Sequence, residues 1–257
     1  MPTKLGQNFL IDHQIIEKII NSADITSDDL VLEIGPGKGV LTEALLRKAG
    51  KVLTIEIDEG LVKNLQEKFK NTKNLEIINE NILDTDLNTL YQIPNTSYKV
   101  IANIPYYITA KILRKFLESN FPPQEMILMV QKEVAERIVA SPGKMSLLSL
   151  SVQYYAEPEI LFEVNKKCFS PVPEVNSAVI RIKPKSSVRD INETQKIFRL
   201  ARIGFASKRK TLLNNLSSSL QQEKGTALKK LESLGFSQNT RAQELSVENW
   251  QKLARMF

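Results

Sequence analysis

A glycine-rich turn between an apolar run and a helical pattern constrains the fold of this chain more than any other feature of its sequence. The run Leu30-Val-Leu-Glu-Ile34 leads directly into Gly35-Pro-Gly-Lys-Gly39, and Val40–Arg47 then carries apolar residues at helical spacing. Glycines that follow a parallel strand let the chain turn tightly and bring backbone N–H groups close to a ligand. We therefore predict a strand, a ligand-binding turn and a helix in this order.

Apolar runs and helical patterns continue to alternate over the first two-thirds of the chain. Further elements are predicted as strands at Lys51–Ile55, Leu75–Ile78, Tyr98–Ala102 and Glu125–Val130, and as helices at Leu61–Phe69 and from Lys132. This alternation indicates an α/β fold whose Rossmann-like, mostly parallel sheet is covered by helices on both faces. The runs Ile160–Val164 and Ser177–Ile182 have no long helix between them, which predicts an antiparallel hairpin at one sheet edge.

A polar break at Pro184-Lys-Ser-Ser187 divides the chain. We place a catalytic domain at residues 1–184 and a small all-helical domain at residues 185–257, with helices at Ile197–Phe205, Thr211–Leu220, Ala227–Leu234 and Val247–Met256. The second domain holds fourteen Lys and Arg against six Asp and Glu, whereas the whole chain has a net charge of +6. Such a surface suits a polyanion or serves solubility alone, and charge balance does not decide between the two.

Histidine and cysteine are too scarce for several kinds of catalytic site. His13 and Cys168 are the only residues of their types, so the sequence offers no internal disulfide, no metal-ligand spacing and no visible catalytic triad. No apolar run approaches the roughly 20 residues of a membrane span, and the amino terminus lacks a signal-peptide core. We expect a cytoplasmic monomer that needs neither a metal nor a histidine base.

Acidic residues near the glycine turn indicate which ligand it binds. The pattern E-x-G-x-G-x-G differs from the dinucleotide fingerprint and lacks the G-K-[ST] ending of a phosphate-binding loop. Glu33 would repel a pyrophosphate but suits a cationic ligand, and Glu56 at the next strand end suits two ribose hydroxyls. S-adenosyl-L-methionine carries an ammonium, a sulfonium and a ribose, and Asn79–Asp84 offers an acceptor for its adenine amine. The alternative is a tight structural turn in a non-binding α/β domain.

The segment Asn103-Ile-Pro-Tyr106 after the fourth predicted strand points to a reaction. The exocyclic amine of adenine is a poor nucleophile, and acceptors for both of its hydrogens favour the tetrahedral nitrogen that attacks. The Asn103 side chain and the Ile104 carbonyl are such acceptors, Pro105 fixes the backbone, and Tyr106 offers a ring for a base drawn out of its stack. Positioning and electrostatics then carry the rate. The alternative is an ordinary β-turn.

Seven segments in one order resemble a known family across nearly the whole chain. They are Leu5-Gly-Gln-Asn-Phe-Leu10, Glu33-Ile-Gly-Pro-Gly-Lys-Gly39, Glu56-Ile-Asp58, Asn103-Ile-Pro-Tyr106, Gln131-Lys-Glu-Val-Ala-Glu-Arg137, Phe169-Ser-Pro-Val-Pro-Glu-Val175 and Arg241-Ala-Gln-Glu-Leu245. The chain resembles the ribosomal RNA adenine N6,N6-dimethyltransferases, and most of all their small-subunit (16S) branch. The resemblance implies dimethylation of two adjacent adenosines in the 3′-terminal hairpin of 16S rRNA during small-subunit biogenesis, with S-adenosyl-L-methionine as methyl donor.

The resemblance also assigns roles to individual residues. It implies that the methionine part of the cofactor is covered by Gln7, Asn8 and Leu10. It implies that the rest of the cofactor is held by Gly35 and Gly37 in the turn, by Glu56 at the ribose, by Asn81 at the adenine, and by Ile57, Ile82 and Asn103. Phe169 is expected to pack against the flipped adenine opposite Tyr106.

Two departures from the family pattern are expected to matter. Asn81 stands where family members usually carry Asp, and since Asn keeps an oxygen acceptor we expect modest weakening of cofactor binding, with Asp84 as a partial substitute. The loop 141–149 lacks the usual Tyr-Gly pair, which leaves its role in RNA contact open.

The densest basic cluster, Lys208-Arg-Lys210, is the main candidate for RNA contact. Charge alone would equally fit a solvated helix end. Further candidates lie in the first domain: Arg114, Lys115, Lys132 and Arg137.

Three other functions are compatible with parts of the sequence. The large-subunit (23S) adenine dimethyltransferases share the glycine turn and Asn-x-Pro-Tyr, although the long helical tail and Arg241–Leu245 favour the small-subunit branch. A non-catalytic ribosome-assembly or transcription factor could use the same fold, and the complete Asn103–Tyr106 segment argues against it. A small-molecule or DNA amine methyltransferase is disfavoured by the basic tail.

Overall fold

The computed structural model describes residues 8–87, 97–186 and 190–257. Its contacts divide the chain into two compact units. Unit 1 comprises the described residues up to Ala135 together with Ala156–Pro184, and unit 2 comprises Glu136–Tyr155 and Lys185–Phe257. The sequence predicted a single boundary after residue 184. The structure differs because residues 136–155 pack with unit 2, where the side chains of Leu150 and Tyr154 lie in the helical core.

Unit 1 is built on a seven-stranded sheet. Its elements in chain order are β1 (Phe9–Leu10), α1 (His13–Ser22), β2 (Leu30–Ile34), α2 (Val40–Leu46), β3 (Lys51–Glu56), α3 (Glu59–Lys68), β4 (Leu75–Asn79), β5 (Tyr98–Asn103), α4 (Thr109–Leu117), β6 (Glu125–Gln131), α5 (Lys132–Ile138, which runs on into unit 2), β7 (Ala156–Val164), β8 (Phe169–Ser170) and β9 (Ser177–Pro184).

The order of the strands in the sheet, β4-β3-β2-β5-β6-β9-β7, and their pairing confirm the predicted Rossmann-like sheet. Strands β4, β3, β2, β5 and β6 pair in parallel. Strand β9 pairs antiparallel with both β6 and β7. It therefore lies between them, and β7 is the edge strand of the sheet. Parallel strands end at a common edge, and the register places Ile34 beside Ile55 and Glu56 beside Asn79 there. The carboxyl ends of β2, β3, β4 and β5 therefore meet at one rim, where α/β sheets bind ligands.

Several elements of unit 1 were not predicted. Helix α1 begins at an Asp12 cap, whose carboxylate accepts from two backbone N–H groups, and it buries four isoleucines against the sheet. A two-stranded antiparallel sheet pairs β1 with β8, with Phe9 opposite Ser170 and Leu10 opposite Phe169. This second sheet joins segments about 160 residues apart, which no local pattern reveals.

Unit 2 is helical, as predicted for the C-terminal region. Its helices are α6 (Leu147–Tyr155), α7 (Ile191–Phe205), α8 (Leu212–Leu220), α9 (Lys224–Ser233) and α10 (Val247–Met256). Trp250 is fully buried at the centre, and a Cβ added at Gly204 would lie 2.5 Å from its ring, so α7 and α10 approach closely. Backbone N–H groups of Gly143 and Met145 donate to the Gln243 carbonyl. These bonds tie the turn before α6, within the 141–149 segment, to the Arg241–Leu245 segment.

No helix in the described ranges is both long and apolar enough to cross a lipid bilayer.

Candidate active site

A cavity of about 440 Å³ opens at the carboxyl ends of β2, β3 and β5 in unit 1. Twelve of the residues assigned to cofactor or catalysis line it: Asn8, Leu10, Gly35, Gly37, Glu56, Ile57, Asn81, Ile82, Asn103, Ile104, Pro105 and Tyr106. Gln7 lies outside the described residues. Residues from five separate segments thus converge on one cavity, although the roles assigned to them stay predictions.

The glycine turn has the backbone conformation that its sequence predicts. Gly35, Gly37 and Gly39 have φ values of +65°, +58° and +73°, a region that residues with a Cβ rarely adopt. A Cβ on Gly37 would lie 2.9 Å from the ring of Phe9, and the ammonium of Lys38 lies 4.8 Å from the centre of that ring. Gly37 therefore also makes room for Phe9, a cavity residue that the sequence analysis did not single out.

Glu56 is buried at the end of β3, with 3% of its surface exposed. One carboxylate oxygen accepts from the Gly37 N–H at 3.2 Å and the other accepts from the Asp58 N–H at 3.0 Å. Burial raises the pKa of Glu56, and the backbone N–H groups of Asp58, Gly37 and Ile57 oppose that rise. Each oxygen can accept one more hydrogen bond, so the carboxylate fits a pair of vicinal hydroxyls.

Glu33 lines the same cavity and is even more deeply buried, with 1% of its surface exposed. The Thr42 hydroxyl donates to its carboxylate at 2.6 Å. Burial raises the pKa of Glu33 to about 8, the Thr42 hydrogen bond opposes this, and the nearby charge of Glu56 adds to it. A buried carboxyl group of this kind favours a cationic ligand group, because a positive charge in the cavity would restore its ionised form.

Asn81 and Asp84 form a hydrogen-bonded pair at the edge of the cavity. The Asn81 amide nitrogen donates to the Asp84 carboxylate at 2.7 Å, and its amide oxygen accepts from the Leu83 N–H at 3.1 Å. An ionised carboxylate can only accept, so Asp84 fixes which way round the Asn81 amide lies. Asn81 lines the cavity with its oxygen still able to accept once more, whereas Asp84 lines a neighbouring groove.

Asn103 is the last residue of β5 and pairs with Met129 of β6. Its side-chain nitrogen donates to the main-chain oxygen of Asn8 at 3.4 Å, so its amide oxygen is left to face the cavity that it lines. The Ile104 N–H donates to the Met129 carbonyl. Among the described residues, no backbone hydrogen bond is made to the Ile104 carbonyl oxygen. Pro105 follows with a φ of −56°. Two acceptors from adjacent residues are therefore available for hydrogen bonds to a substrate, and their predicted role toward an amine stays a prediction.

The two tyrosines after Pro105 have different environments. The Tyr106 hydroxyl shares a 2.8 Å hydrogen bond with the buried Ser177 hydroxyl, and burial raises the pKa of Tyr106. The Tyr106 ring is thereby fixed where it lines the cavity. Tyr107 also lines the cavity but is 69% exposed. The sequence analysis had not singled out Tyr107.

Phe169 is not where the family resemblance placed it. It is 1% exposed, belongs to the apolar core with Leu10 and Met129, and is absent from the cavity lining. The reason lies in the β1–β8 pairing, which sets Phe169 opposite Leu10 on the core side and leaves Ser170 exposed. In this conformation Phe169 supports β1 rather than facing Tyr106 across the cavity.

The basic residues predicted to bind RNA differ in exposure and in their surroundings. Lys115 and Lys132 are half-buried, whereas the others are exposed. Lys208, Arg209 and Lys210 form the turn between α7 and α8, which the buried Asn215 amide holds through the carbonyls of Gly204 and Ser207. Arg114 is held by Glu118 at 2.9 Å. Among the other candidates, Arg137 is exposed, Lys132 pairs with Glu163 at 2.7 Å, and Lys115 donates to the carbonyls of Leu83 and Thr85.

Within the ranges that the structure describes, no three His, Cys, Asp or Glu side chains are grouped so that they could hold a metal ion. The acidic and basic side chains that line the cavity are Glu33, Glu56, Glu80, Lys38 and Lys111.

Comparison with known sequences identifies one family. The sequence model described as "Ribosomal RNA adenine dimethylase" matches residues 1–257. Curated relatives named "Ribosomal RNA small subunit methyltransferase A" include one from Dehalococcoides mccartyi (strain ATCC BAA-2100), 44% identical over 97% of this chain and 86% of the relative. Another, from Lachnoclostridium phytofermentans, is 44% identical over 98% of this chain and 89% of the relative.

Two solved structures share the fold over nearly their whole length. A dimethyladenosine transferase from Plasmodium falciparum superposes with a TM-score of 0.80 at 29% identity, covering 95% of each chain. The 23S rRNA methyltransferase ErmE superposes with a TM-score of 0.77 at 26% identity, covering 97% of this chain and 99% of the other. The chain therefore shares its fold with a dimethyladenosine transferase and with a 23S rRNA methyltransferase.

Proposed function

This chain belongs to the ribosomal RNA adenine dimethylase family, whose members take methyl groups from S-adenosyl-L-methionine. From that premise we propose that it dimethylates two adjacent adenosines in the 3′-terminal hairpin of 16S rRNA, within the immature small ribosomal subunit, and that it acts as a monomer. The observation that carries the proposal is the position of Asn103 and Tyr106, which line the same cavity as the buried carboxyl groups of Glu33 and Glu56.

The cavity residues fit the methyl donor by their hydrogen-bonding capacity. Glu56 has free acceptor positions for two ribose hydroxyls, and Asn81 has one for the amine of the donor's adenine. Glu33 is a buried carboxyl group that a cationic group would stabilise in its ionised form. When bound, S-adenosyl-L-methionine supplies a methyl group already activated by a sulfonium leaving group.

The chain's own residues prepare the target amine. The Asn103 amide oxygen and the Ile104 carbonyl accept its two hydrogens, which localises the nitrogen lone pair for the new nitrogen–carbon bond. The Tyr106 ring, fixed through Ser177, offers a face on which the extruded adenine stacks. The amine proton leaves to water after the new bond has formed, so no general base is needed. The contribution of the protein is orientation, together with electrostatic stabilisation of the attacking nitrogen.

The small subunit is favoured over the large subunit by the relatives and by the C-terminal segment. The relatives at 44% identity are named for the small subunit, whereas ErmE is 26% identical. The Arg241–Leu245 segment is bonded to the turn before α6 and therefore belongs to the framework of unit 2. We propose that unit 1 carries the catalytic site. Unit 2 is the main RNA-binding unit, through Lys208, Arg209 and Lys210.

The test is methylation of unmodified small subunits. Purified protein is incubated with the methyl donor and either immature small subunits or naked 23S rRNA, and rRNA fragments are analysed by mass spectrometry. We expect two adjacent dimethylated adenosines in the 16S 3′-terminal hairpin and none in 23S rRNA. Preferential methylation of 23S rRNA would contradict the choice of subunit, and methylation of neither would contradict the proposed activity.

A further inference from the structure

Tyr107 and Lys111 lie four residues apart at the mouth of the cavity, and the proposed function uses neither. The helical segment that begins as a 3-10 turn at Tyr106–Ile108 continues as α4 from Thr109. Residues four apart on a helical segment lie on the same side. The aromatic ring and the ammonium group therefore belong to one side of this segment, and both residues line the cavity.

Tyr107 differs from Tyr106 in having a free aromatic surface. Tyr106 is partly buried and anchored on Ser177, while Tyr107 is 69% exposed beside it. An aromatic ring left in water at a cavity mouth is available for stacking, and bases of any identity stack on such a ring. Tyr106 is thus suited to the extruded target base, and Tyr107 is suited to a base outside the cavity.

Lys111 differs from the other basic residues of α4 in its hydrogen-bond and ion-pair partners. Arg114 is held by Glu118 at 2.9 Å, and Lys115 donates to the Thr85 carbonyl at 2.6 Å. Lys111 is exposed, and within the part of the chain that the structure describes it has no hydrogen bond or ion pair. It lines both the catalytic cavity and the adjoining open groove of about 770 Å³, so its ammonium group stands where a strand leaving the cavity would pass.

We propose that Tyr107 and Lys111 form a subsite for the nucleotide next to the target adenosine. The base of that nucleotide stacks on the Tyr107 ring, and Lys111 binds the phosphate that links it to the target. This inference rests on the proposed function, because it assumes an RNA strand with an adenosine extruded into the cavity. Since stacking tolerates any base, the subsite holds the neighbour whether or not that neighbour has already been methylated.

The test combines turnover with RNA binding. Tyr107→Ala and Lys111→Ala are assayed on immature small subunits, and we expect kcat/KM for the RNA substrate to fall about five- to twenty-fold, as for the loss of one stacked base or one phosphate contact. Tyr107→Phe keeps the ring and is expected to stay within about two-fold of wild type. Lys73→Ala is the matched control for Lys111→Ala, because Lys73 is exposed and precedes β4, at the opposite end of the strands.

Binding of a synthetic hairpin with the sequence of the 16S 3′-terminal hairpin then isolates each contact. Replacing the nucleotide beside the target with an abasic one should weaken binding to wild type as much as Tyr107→Ala does. The two changes together should add little, because both remove the same stack. Lys111→Ala should lower the dependence of log Kd on log salt by about 0.7 to 0.9, the share of one phosphate, whereas Lys73→Ala should leave it unchanged.

Three outcomes decide against the subsite. Additive losses from the abasic nucleotide and Tyr107→Ala would show that the ring does not stack on that base. A loss confined to the affinity for S-adenosylhomocysteine, with RNA binding unchanged, would assign both residues to the cofactor. If wild type is active and both alanine variants match it in kcat/KM and in RNA binding, this inference alone is overturned. If wild type itself does not methylate the subunits, the proposed function is overturned.

Discussion

The side-chain nitrogen of Asn103 donates a hydrogen bond to the main-chain oxygen of Asn8 over 3.4 Å. This contact links the end of β5 to the segment that enters β1, which is itself held by pairing of Leu10 with Phe169. Because the amide nitrogen is engaged, the amide oxygen is the group that Asn103 presents to a substrate. The orientation of the Asn103 amide therefore depends on the position of Asn8, just before β1, and β1 is held in turn by its pairing with Phe169.

The first prediction concerns Asn103 as the amine acceptor. Asn103→Ala is expected to lower kcat for methyl transfer at least about 100-fold, the usual effect of removing one preorganised hydrogen bond at a reacting group. The Kd values for S-adenosylhomocysteine and for RNA should stay within about three-fold of wild type. Isothermal titration and single-turnover methylation measure the two effects separately. Asn74→Ala, in the turn before β4, is the control, and unchanged turnover in Asn103→Ala would refute the catalytic assignment.

The second prediction concerns the stability that protonated Glu33 provides. Its pKa in the folded protein is about 8, against 4.5 when exposed. Between these values the folded state holds a proton that the unfolded state has lost, so this contribution to stability is present at low pH and declines as pH rises from about 4.5 to 8. Glu33→Gln mimics the protonated form and keeps an acceptor for Thr42. We expect Glu33→Gln to abolish this decline, and its free energy of unfolding at pH 8 to exceed that of wild type by on the order of 4 kcal/mol.

Urea unfolding at pH 5, 6.5 and 8 measures this effect, with Glu67→Gln on the exposed face of α3 as control. Parallel pH dependences for wild type and Glu33→Gln would show that Glu33 is ionised in the empty cavity. For the methyl donor, we expect wild-type affinity to rise between pH 6 and 8 relative to that of Glu33→Gln. Titration of the donor itself is common to both proteins and cancels in their ratio.

The sheet and the glycine turn could be predicted because their signals are local. Apolar runs, helical spacing and glycines in the left-handed region all lie within short windows, and the strands predicted for the parallel sheet were confirmed. Helix α1 was missed although Asp12 and the buried isoleucines gave a cap and a helical pattern. The family resemblance identified the candidate site residues, but it did not predict that Phe169 is buried in the core. That burial follows from the pairing of Phe169 with a distant two-residue strand. Tyr107 and Lys111 were missed because exposure and proximity to a cavity have no sequence signature.

The third prediction concerns the Asn81–Asp84 pair. The family pattern alone predicts that a carboxylate at position 81 would strengthen cofactor binding, but the structure reverses this expectation. Asn81→Asp would set two carboxylates against each other where an amide now donates at 2.7 Å. We expect Asn81→Asp to weaken cofactor binding about ten-fold, which corresponds to about 1.4 kcal/mol, and to lower the melting temperature. The double variant Asn81→Asp/Asp84→Asn exchanges donor and acceptor and should return the Kd to within about three-fold of wild type.

Calorimetric titration with S-adenosylhomocysteine tests this exchange, and Asp84→Asn alone is the control with a small expected effect. If Asn81→Asp alone bound the cofactor as tightly as wild type, the two side chains would be independent. The interpretation of Asp84 as the residue that orients Asn81 would then be wrong.

The fourth prediction asks whether the position of the basic residues in unit 2, or only their total charge, determines RNA binding. Lys208 and Arg209 lie in the turn that Asn215 holds, whereas Lys224 and Lys229 are exposed on α9 of the same unit. Lys208→Ala/Arg209→Ala and Lys224→Ala/Lys229→Ala remove the same charge, so a purely long-range attraction to RNA would weaken equally in both. If the turn makes direct phosphate contacts, only the first pair should lower the dependence of log Kd on log salt, by about 1.4 to 1.8 for two phosphates. Filter binding of immature small subunits between low and physiological salt measures this slope, and equal slopes in the two double variants would show that unit 2 attracts RNA by net charge alone.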